Sequence, residues 1–366
     1  MYLQNNSSPN LSIIIPVYNG SLYLEHTIST IMSQPCKDFE LLLIDDGSTD
    51  NSLYICQQAA KLYDNIRVTT RGNKGVSLTR NEGIEMSRGR IIIFFDQDDA
   101  MRKNFYTESM RDNILKQFED GIDMILPGRW QGNETLKRGH YLPIEYHISG
   151  IRTGHQAEES FITYGPFHQN IFSRSLFFDE NNHPTPVRFL PLKVDVETTF
   201  RHMTQYAARK LLYSDDFAFS VRRENRQSVS SKWNFLKVHY VRCDAYWRLI
   251  DWHKEYYSRD EASIITAEKH FLATVEYMIE DYCKAKQDLP KLLDTLKEKE
   301  FYIDLVTLAK KYPESSENFK ILNDHNYLVL KENYNVPLWK KVIRLRWPII
   351  NFFHKLEEEK SLSSVI

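Results

Sequence analysis

Three carboxylates, Asp96, Asp98 and Asp99, follow five unbroken apolar residues, Ile91 to Phe95, in the stretch RIIIFFDQDDAM. An apolar run of this kind suits a strand covered on both faces, and ligands of open α/β sheets gather beyond the carboxyl ends of such strands. Asp96 and Asp98 are two apart, so a turn must intervene before they converge. Three anions gathered at one point raise one another's pKa unless a cation holds them. Mg²⁺ or Mn²⁺ is the natural cation, because it prefers oxygen and uses one or two carboxylates together with substrate phosphates. That chemistry points to a nucleotide-bearing ligand. The same residues also suit an acidic turn before a helix N-terminus. A second apolar run, Phe39 to Ile44 (FELLLI), ends in acid too, at Asp45, Asp46 and Asp50. A third pair, Asp195 and Glu197, precedes a helix in PLKVDVETTF, where a helix dipole would also favour it.

These groups need a scaffold, and the first hundred residues read as one. Leu11 to Val17 (LSIIIPV) is a buried strand, with Ser21 a cap for a helix to about Ser33. After the second strand come a helix over Asn51 to Tyr63, a short strand over Ile66 to Thr70, and the Gly-punctuated turn RGNKG. A helix over Val76 to Arg88 carries Arg80, Asn81 and Glu82 and feeds the strand that reaches Asp96. Strand and helix alternate regularly, which predicts a doubly wound α/β sheet. Further on, the pattern predicts a helix over Arg102 to Asp120, a strand over Met124 to Leu126, a polar excursion from Gly128 to Gly154, and a last strand over Leu211 to Ser220. Arg222 and Arg223 then open a basic, hydroxylic loop, where their planar forks of donors suit a diphosphate.

From Lys232 to about Tyr312 apolar residues recur at helical spacing, as in Phe271, Val275, Met278 and Ile279, and predict a helical appendage. The tail VPLWKKVIRLRWPIINFFHK differs again. Leu338, Val342, Leu345, Ile349, Phe352 and Leu356 share one face, beside five cations. This composition fits an interfacial helix over 336–356 lying on an anionic membrane surface, at roughly 1 kcal/mol per basic residue. A terminal helix packed on the appendage or on a second subunit is the other reading, so a homo-oligomer stays open. The expected division is a disordered lead over 1–10, a catalytic body over 11–231, the appendage over 232–335 and the basic tail over 336–366.

A formal net charge of -2 over 366 residues, without a basic face, argues against a nucleic-acid partner. Cys36, Cys56, Cys243 and Cys283 show neither zinc nor disulfide-scaffold spacing and fit free thiols in a reducing cytoplasm. The polar start MYLQNNSSPN does not read as a signal peptide, and no run is long enough to span a bilayer. The expected location is therefore cytoplasmic, or peripheral on the inner face of the plasma membrane.

The segments LSIIIPVYNG, FELLLIDDGSTDNS, NKGVSLTRNEGIEMSRGRIIIFFDQDDAM and VDVETTFR together resemble the family-two inverting glycosyltransferases of the GT-A fold. Agreement is densest over Leu11 to Met101. GPFHQNIFSRSLF and FSVRRENRQSVS also look like stretches of the polysaccharide-assembling members, including bacterial capsular and cell-envelope enzymes. The resemblance implies a Rossmann-like, mostly parallel sheet flanked by helices, with a nucleotide-sugar half over 11–101 and an acceptor half over 102–231. It implies a nucleotide-sugar donor, usually a UDP-sugar, and inversion at the anomeric carbon.

By position, the resemblance puts Pro16 and Tyr18 at the uracil and gives Asp45 or Asp46, with Asp46 favoured, a hydrogen bond to the base. Arg80 would brace the carboxylates. Asp96 would touch the ribose or a metal-bound water, Asp98 would bind Mn²⁺ or Mg²⁺ directly, and Asp99 would do either. Asp195 would be the general base. The family's preceding Glu is Val194 here, so Glu197 is a second candidate. The implied partner is a glycan or lipid-linked acceptor for capsule or cell-envelope polysaccharide. The alternatives are a cytosolic transferase extending glycans on a protein, and an inactive sugar-nucleotide or glycan-binding partner subunit.

Overall fold

A computed structural model describes residues 8–133, 135–142, 150–154, 170–192, 196–223, 235–284, 289–312, 319–322, 327–330, 360–361 and 365–366. The chain divides into two compact units, Met1–Ser231 with His354–Ile366, and Lys232–Phe353.

The first unit is built on β1 (Leu11–Val17), β2 (Phe39–Asp45), β3 (Ile66–Thr70) and β4 (Ile91–Phe94). They pair in parallel in the order β3-β2-β1-β4. Helices α1 (Leu24–Met32), α2 (Ser52–Leu62) and α3 (Val76–Met86) make the crossovers. The apolar runs of β1, β2 and β4 are buried on both faces, which is why they read as unbroken rather than alternating. Beyond β4 the sheet turns mixed. β6 (Met124–Leu126), β9 (Gly150–Arg152), β10 (Ile171–Ser173) and β11 (Leu211–Tyr213) extend it to eight strands in the order β3-β2-β1-β4-β10-β6-β11-β9. β10 runs antiparallel between β4 and β6, while β11 returns parallel to β6.

A second sheet takes β5 (Ala100–Met101), β7 (Arg129–Gly132), β8 (Arg138–Leu142), β12 (Ser220–Arg223) and β15 (Lys360–Ser361) in the order β15-β8-β7-β12-β5. Four expectations are corrected by these strands and the turns between them. The excursion from Gly128 to Gly154 is not merely polar loop: it carries β7, β8 and β9. The strand over Leu211 to Ser220 is broken by a 3₁₀ turn at Asp215–Phe217, where the Ser214 hydroxyl accepts from the Asp216 amide. Arg222 and Arg223 accordingly lie in β12, not in a loop. The helix expected from Arg102, α4 (Glu108–Glu119), starts only after Thr107, whose side chain accepts from the Met110 amide. β5 and the buried Phe105 and Tyr106 occupy the chain before it.

Helix α5 (Val196–Ala207) is fastened by rings. Phe200 stacks on Phe189 at 3.6 Å between centroids and meets Phe94 edge-on at 5.5 Å. The side chain of Asn81 on α3 both donates to the Phe189 carbonyl and accepts from its amide, each at 2.9 Å, so the segment entering α5 is tied to the helix beside the acid cluster.

The second unit holds α6 (Phe235–Tyr256), α7 (Glu261–Lys284), α8 (Leu289–Lys297) and α9 (Tyr302–Lys311), with a hairpin of β13 (Phe319–Leu322) and β14 (Tyr327–Leu330). Its core gathers Phe271, Val275, Met278 and Ile279 from one face of α7 with Leu292, Leu296, Leu305 and Leu308. Cys36, Cys56 and Cys243 are buried free thiols. Among the described residues no helix is long and apolar enough to cross a membrane. Residues 331–359, which include the proposed interfacial stretch 336–356, lie outside the described residues.

Candidate active site

Two acidic strand ends meet at the carboxyl edge of the parallel sheet. At the end of β2, Asp45 and Asp46 are buried, and each carboxylate oxygen accepts from one of the chain's own donors. Asp45 accepts from the Thr70 hydroxyl at 2.8 Å and the Ser48 amide at 3.3 Å. Asp46 accepts from the Lys74 and Gly75 amides at 2.9 and 2.8 Å, directly ahead of the first turn of α3, and pairs with Arg71 at 3.4 Å. A carboxylate there satisfies orphan donors and complements the helix dipole. Gly47 is required between these loops: its φ is +76°, and a Cβ would meet the Asn73 amide nitrogen at 2.9 Å.

The loop after β1 is laced to the loop after β2. Asn19 accepts from the Thr49 amide, Gly20 donates to the Ser52 hydroxyl, and Ser21 donates to Asp50. Burial pushes the Asp50 carboxyl up, but bonds from Ser52 and Ser21 more than offset this and hold it at about 2. Tyr18 projects from this loop with 43% of its surface exposed, a free ring face next to half-buried Pro16.

At the end of β4 the acids are arranged differently. The Asp99 amide donates to the Asp96 carbonyl, closing the turn that the spacing of the carboxylates demands. Asp96 and Asp98 stay half-exposed, whereas Asp99 is buried beneath them. Burial, together with the charges of Asp96 and Asp98, pushes the Asp99 carboxyl well above the usual range; a bond from the Arg223 amide and the charge of Arg222 pull the other way. Arg80, buried on α3, donates to Asp96 at 3.2 Å and lies over the Phe189 ring at 5.4 Å. One cation thus joins the acid loop to the segment that enters α5.

Three residues that sequence reasoning did not single out position this loop. The Gln97 amide brackets the Tyr18 backbone, its oxygen accepting from the Tyr18 N–H and its nitrogen donating to the Tyr18 carbonyl, both at 3.0 Å. Gly20 leaves the space for it, since a Cβ would fall 2.2 Å from the Gln97 oxygen. The buried Thr27 hydroxyl, on α1, lies 2.7 Å from the Asp99 carbonyl and 2.9 Å from that of Gln97. His26, also on α1, sits 3.4 Å from the Arg223 guanidinium. Partial burial, then the charge of Arg223, lowers its pKa. The only sequence signal for Gln97 was its place between Asp96 and Asp98, and Thr27 had none, because their partners are backbone atoms some 70 to 79 positions away.

Arg223 closes the loop from β12. Its amide donates to Asp99 at 2.9 Å, its Nε to the Asp98 carbonyl at 2.8 Å, and its guanidinium lies 4.6 Å from the Tyr23 ring centre. The structure therefore gathers Pro16, Tyr18, Asp45, Asp46, Arg80, Asp96, Asp98, Asp99 and Arg223 at one edge. Arg222, in register with Gln131, lies near enough to act electrostatically on Asp99. Glu197 stands in the first turn of α5, half-buried, and Asp195 lies outside the described residues.

Among the described residues no three His, Cys, Asp or Glu side chains form a ready cation cage. The donor chemistry nevertheless fits Mg²⁺ or Mn²⁺. Asp96 and Asp98 offer hard oxygen at an accessible turn, Asp99 adds a buried carboxyl whose ionisation a cation would favour, and such ions take the rest of their shell from phosphates and water.

Residues 12–179 match the family model described as glycosyl transferase family 2. The chain is 32% identical over 151 residues to the uncharacterized glycosyltransferase YibD of Escherichia coli, covering 41% of this chain and 43% of that one. It is 30% identical over 187 residues to the minor teichoic acid biosynthesis protein GgaA of Bacillus subtilis, covering 46% and 40%. The matched region thus spans less than half the length of either relative. Among solved structures, S. aureus TarS 1–349 in complex with UDP-GlcNAc aligns over 90% of this chain and 98% of that one, with a TM-score of 0.52 and 18% identity. At that identity the likeness is one of fold, the GT-A arrangement. The family match runs from β1 through the acid loop to β10.

Proposed function

We propose that the protein transfers a sugar, with inversion, from a UDP-sugar to a hydroxyl of a glycan or lipid-linked acceptor in cell-envelope polysaccharide synthesis. The observation that carries this reading is the acid loop Asp96–Asp99, held at the carboxyl end of β4 inside the stretch that matches family two. The UDP-GlcNAc complex of TarS and the teichoic acid role in GgaA's name support the choice of donor and pathway class.

On this reading the exposed face of Tyr18, with Pro16, receives the uracil. Asp46 offers the base its remaining lone pairs while it caps α3. Asp96, oriented by Arg80, takes the ribose, and Asp98 and Asp96 hold Mg²⁺ or Mn²⁺, with Asp99 beneath as a third charge. A metal ion held by Asp98 and Asp96 would supply neutralisation of the charge on a diphosphate leaving group. Arg222 adds a nearby cation. Asp195 accepts the proton of the acceptor hydroxyl, with Glu197 as the other candidate base; a positioned carboxylate contributes typically ~10² to 10⁴ in rate. Gln97 keeps base and diphosphate in one register by joining their two loops. The stretch 336–356 would hold the enzyme on the inner face of the plasma membrane, near a lipid-linked acceptor.

The test is hydrolysis and transfer across a panel of nucleotide sugars, with Mn²⁺, with Mg²⁺ and with a chelator. UDP-sugars should turn over only with metal. Asp195→Asn should abolish transfer but retain donor binding. Retained transfer in Asp195→Asn with loss in Glu197→Gln would move the base to Glu197, and turnover of no nucleotide sugar under any condition would overturn the proposal. Flotation of the full chain on anionic liposomes, compared with a chain lacking 336–366, decides the membrane reading; equal flotation would end it.

A further inference from the structure

The helical unit contains a cavity of about 180 Å³ that the transfer reaction does not use. Trp247, Asp251 and Lys254 line it from α6 at helical spacing, Glu268 from α7, and Asp304 and Lys311 from α9. Ile250 and Leu308 add an apolar wall.

These groups are partly pre-paired in ways that fix their positions and leave capacity over. The Trp247 indole N–H donates to one oxygen of Asp304 at 2.8 Å. Glu268, only 4% exposed, accepts from the Lys311 ammonium and the Tyr312 hydroxyl on a single oxygen, each at 2.7 Å. Its second oxygen carries no hydrogen bond among the described residues and still reaches solvent, so it can accept one from a ligand. Asp251 and Lys254, a helical turn apart on the exposed lip, do not pair with each other among the described residues. The cavity therefore offers fixed acceptors at Glu268, Asp304 and Asp251, donors at Lys254 and Lys311, and an indole beside an apolar wall.

We infer that this cavity is a second carbohydrate site, taking one pyranose ring of a glycan. Vicinal hydroxyls donate to carboxylates and accept from ammonium groups, while the C–H face of a pyranose suits an indole and aliphatic wall. Small-molecule sites have this mixture of apolar lining and a few convergent polar groups. An anion is disfavoured because three carboxylates face two ammonium groups. The proposal goes beyond the transfer reaction and stands whether or not that reading holds.

Saturation-transfer NMR on the full chain tests it, with methyl β-glucoside, methyl β-galactoside and N-acetylglucosamine as probes, in the presence of excess UDP to fill a donor site. At least one probe should receive saturation. The lip variants Asp251→Asn and Lys254→Met, which alter exposed side chains and so spare the fold, should weaken its binding at least tenfold. Asp98→Ala should leave binding unchanged, which separates this site from the transfer centre. No saturation of any probe would overturn the proposal, as would binding that survives both lip variants or disappears in Asp98→Ala.

Discussion

The ends of β2 and β4 carry similar acids and use them in opposite ways. At β2 the carboxylates of Asp45 and Asp46 are surrounded by donors from Ser48, Thr70, Lys74 and Gly75, all within 30 residues. The acid there closes loops and caps α3. At β4 the chain instead stabilises the loop's backbone: Thr27 and Arg223 bind the carbonyls of Asp99 and Asp98, and Gln97 binds Tyr18. The carboxylates of Asp96 and Asp98 remain at an accessible turn over a buried third carboxyl, whose ionisation burial and their charges oppose. An acidic strand end is architecture where local amides reach its oxygens, and a candidate for chemistry where the fold secures the backbone and leaves like charges together.

Substitutions at the two ends should separate these roles. The largest effect expected is on activity: Asp98→Ala should lower transfer by about 10³-fold or more, if charge stabilisation of several kcal/mol is lost, with a melting temperature near that of the parent. A large thermal loss with activity retained would reverse the assignment. Asp46→Ala should damage stability as well as donor binding. It leaves two amides at the start of α3 without an acceptor and should cost about 3 kcal/mol in urea unfolding; Asp46→Asn, which keeps one acceptor, should cost less.

Thr27→Val preserves shape and removes the hydroxyl under the Asp99 and Gln97 carbonyls. About 1 kcal/mol of stability should go, together with a weaker metal requirement curve, seen as a higher Mn²⁺ concentration for half-maximal turnover. Unchanged metal dependence would mean that the acid loop holds its form without α1. The smallest effect concerns Asp50. Its carboxyl is held at about 2, below its ordinary value, so its contribution is complete above the unfolded pKa and fades as pH falls toward the folded one. The group is exposed, and screening should limit that contribution to less than about 1 kcal/mol. Asp50→Asn should therefore lower stability slightly at neutral pH, with the difference from the parent fading as pH falls toward 2.

Local pattern carried the first half of this fold because its strands are buried on both faces and its helices cross over at short range. Each apolar run and each turn was visible in a window of a dozen residues. The mixed extension was not legible in the same way. β10 enters between β4 and β6 from some eighty residues downstream, and β12 leaves the main sheet after a 3₁₀ turn that no apolar pattern marks. Likewise Arg222 and Arg223 looked like loop cations because their strand partners, Gln131 and Gly132, belong to a polar stretch with weak periodicity.

The sequence alone determined the parallel α/β half, the helical nature of the stretch from Phe235 to Lys311, and the acids Asp45, Asp46, Asp96, Asp98 and Asp99 as the groups to watch, since residue type and spacing are local properties. Only the tertiary structure decided which of those acids are consumed as caps, that Asp99 is buried under its neighbours, and that Gln97, Thr27 and Arg223 hold the loop. It also brought Glu268 to the same cavity as Trp247 and Asp304. The physical reason is common to all of these: burial and hydrogen-bond partnership are set by chain segments far apart in sequence, and a carboxylate's role follows from which donors the fold brings to it.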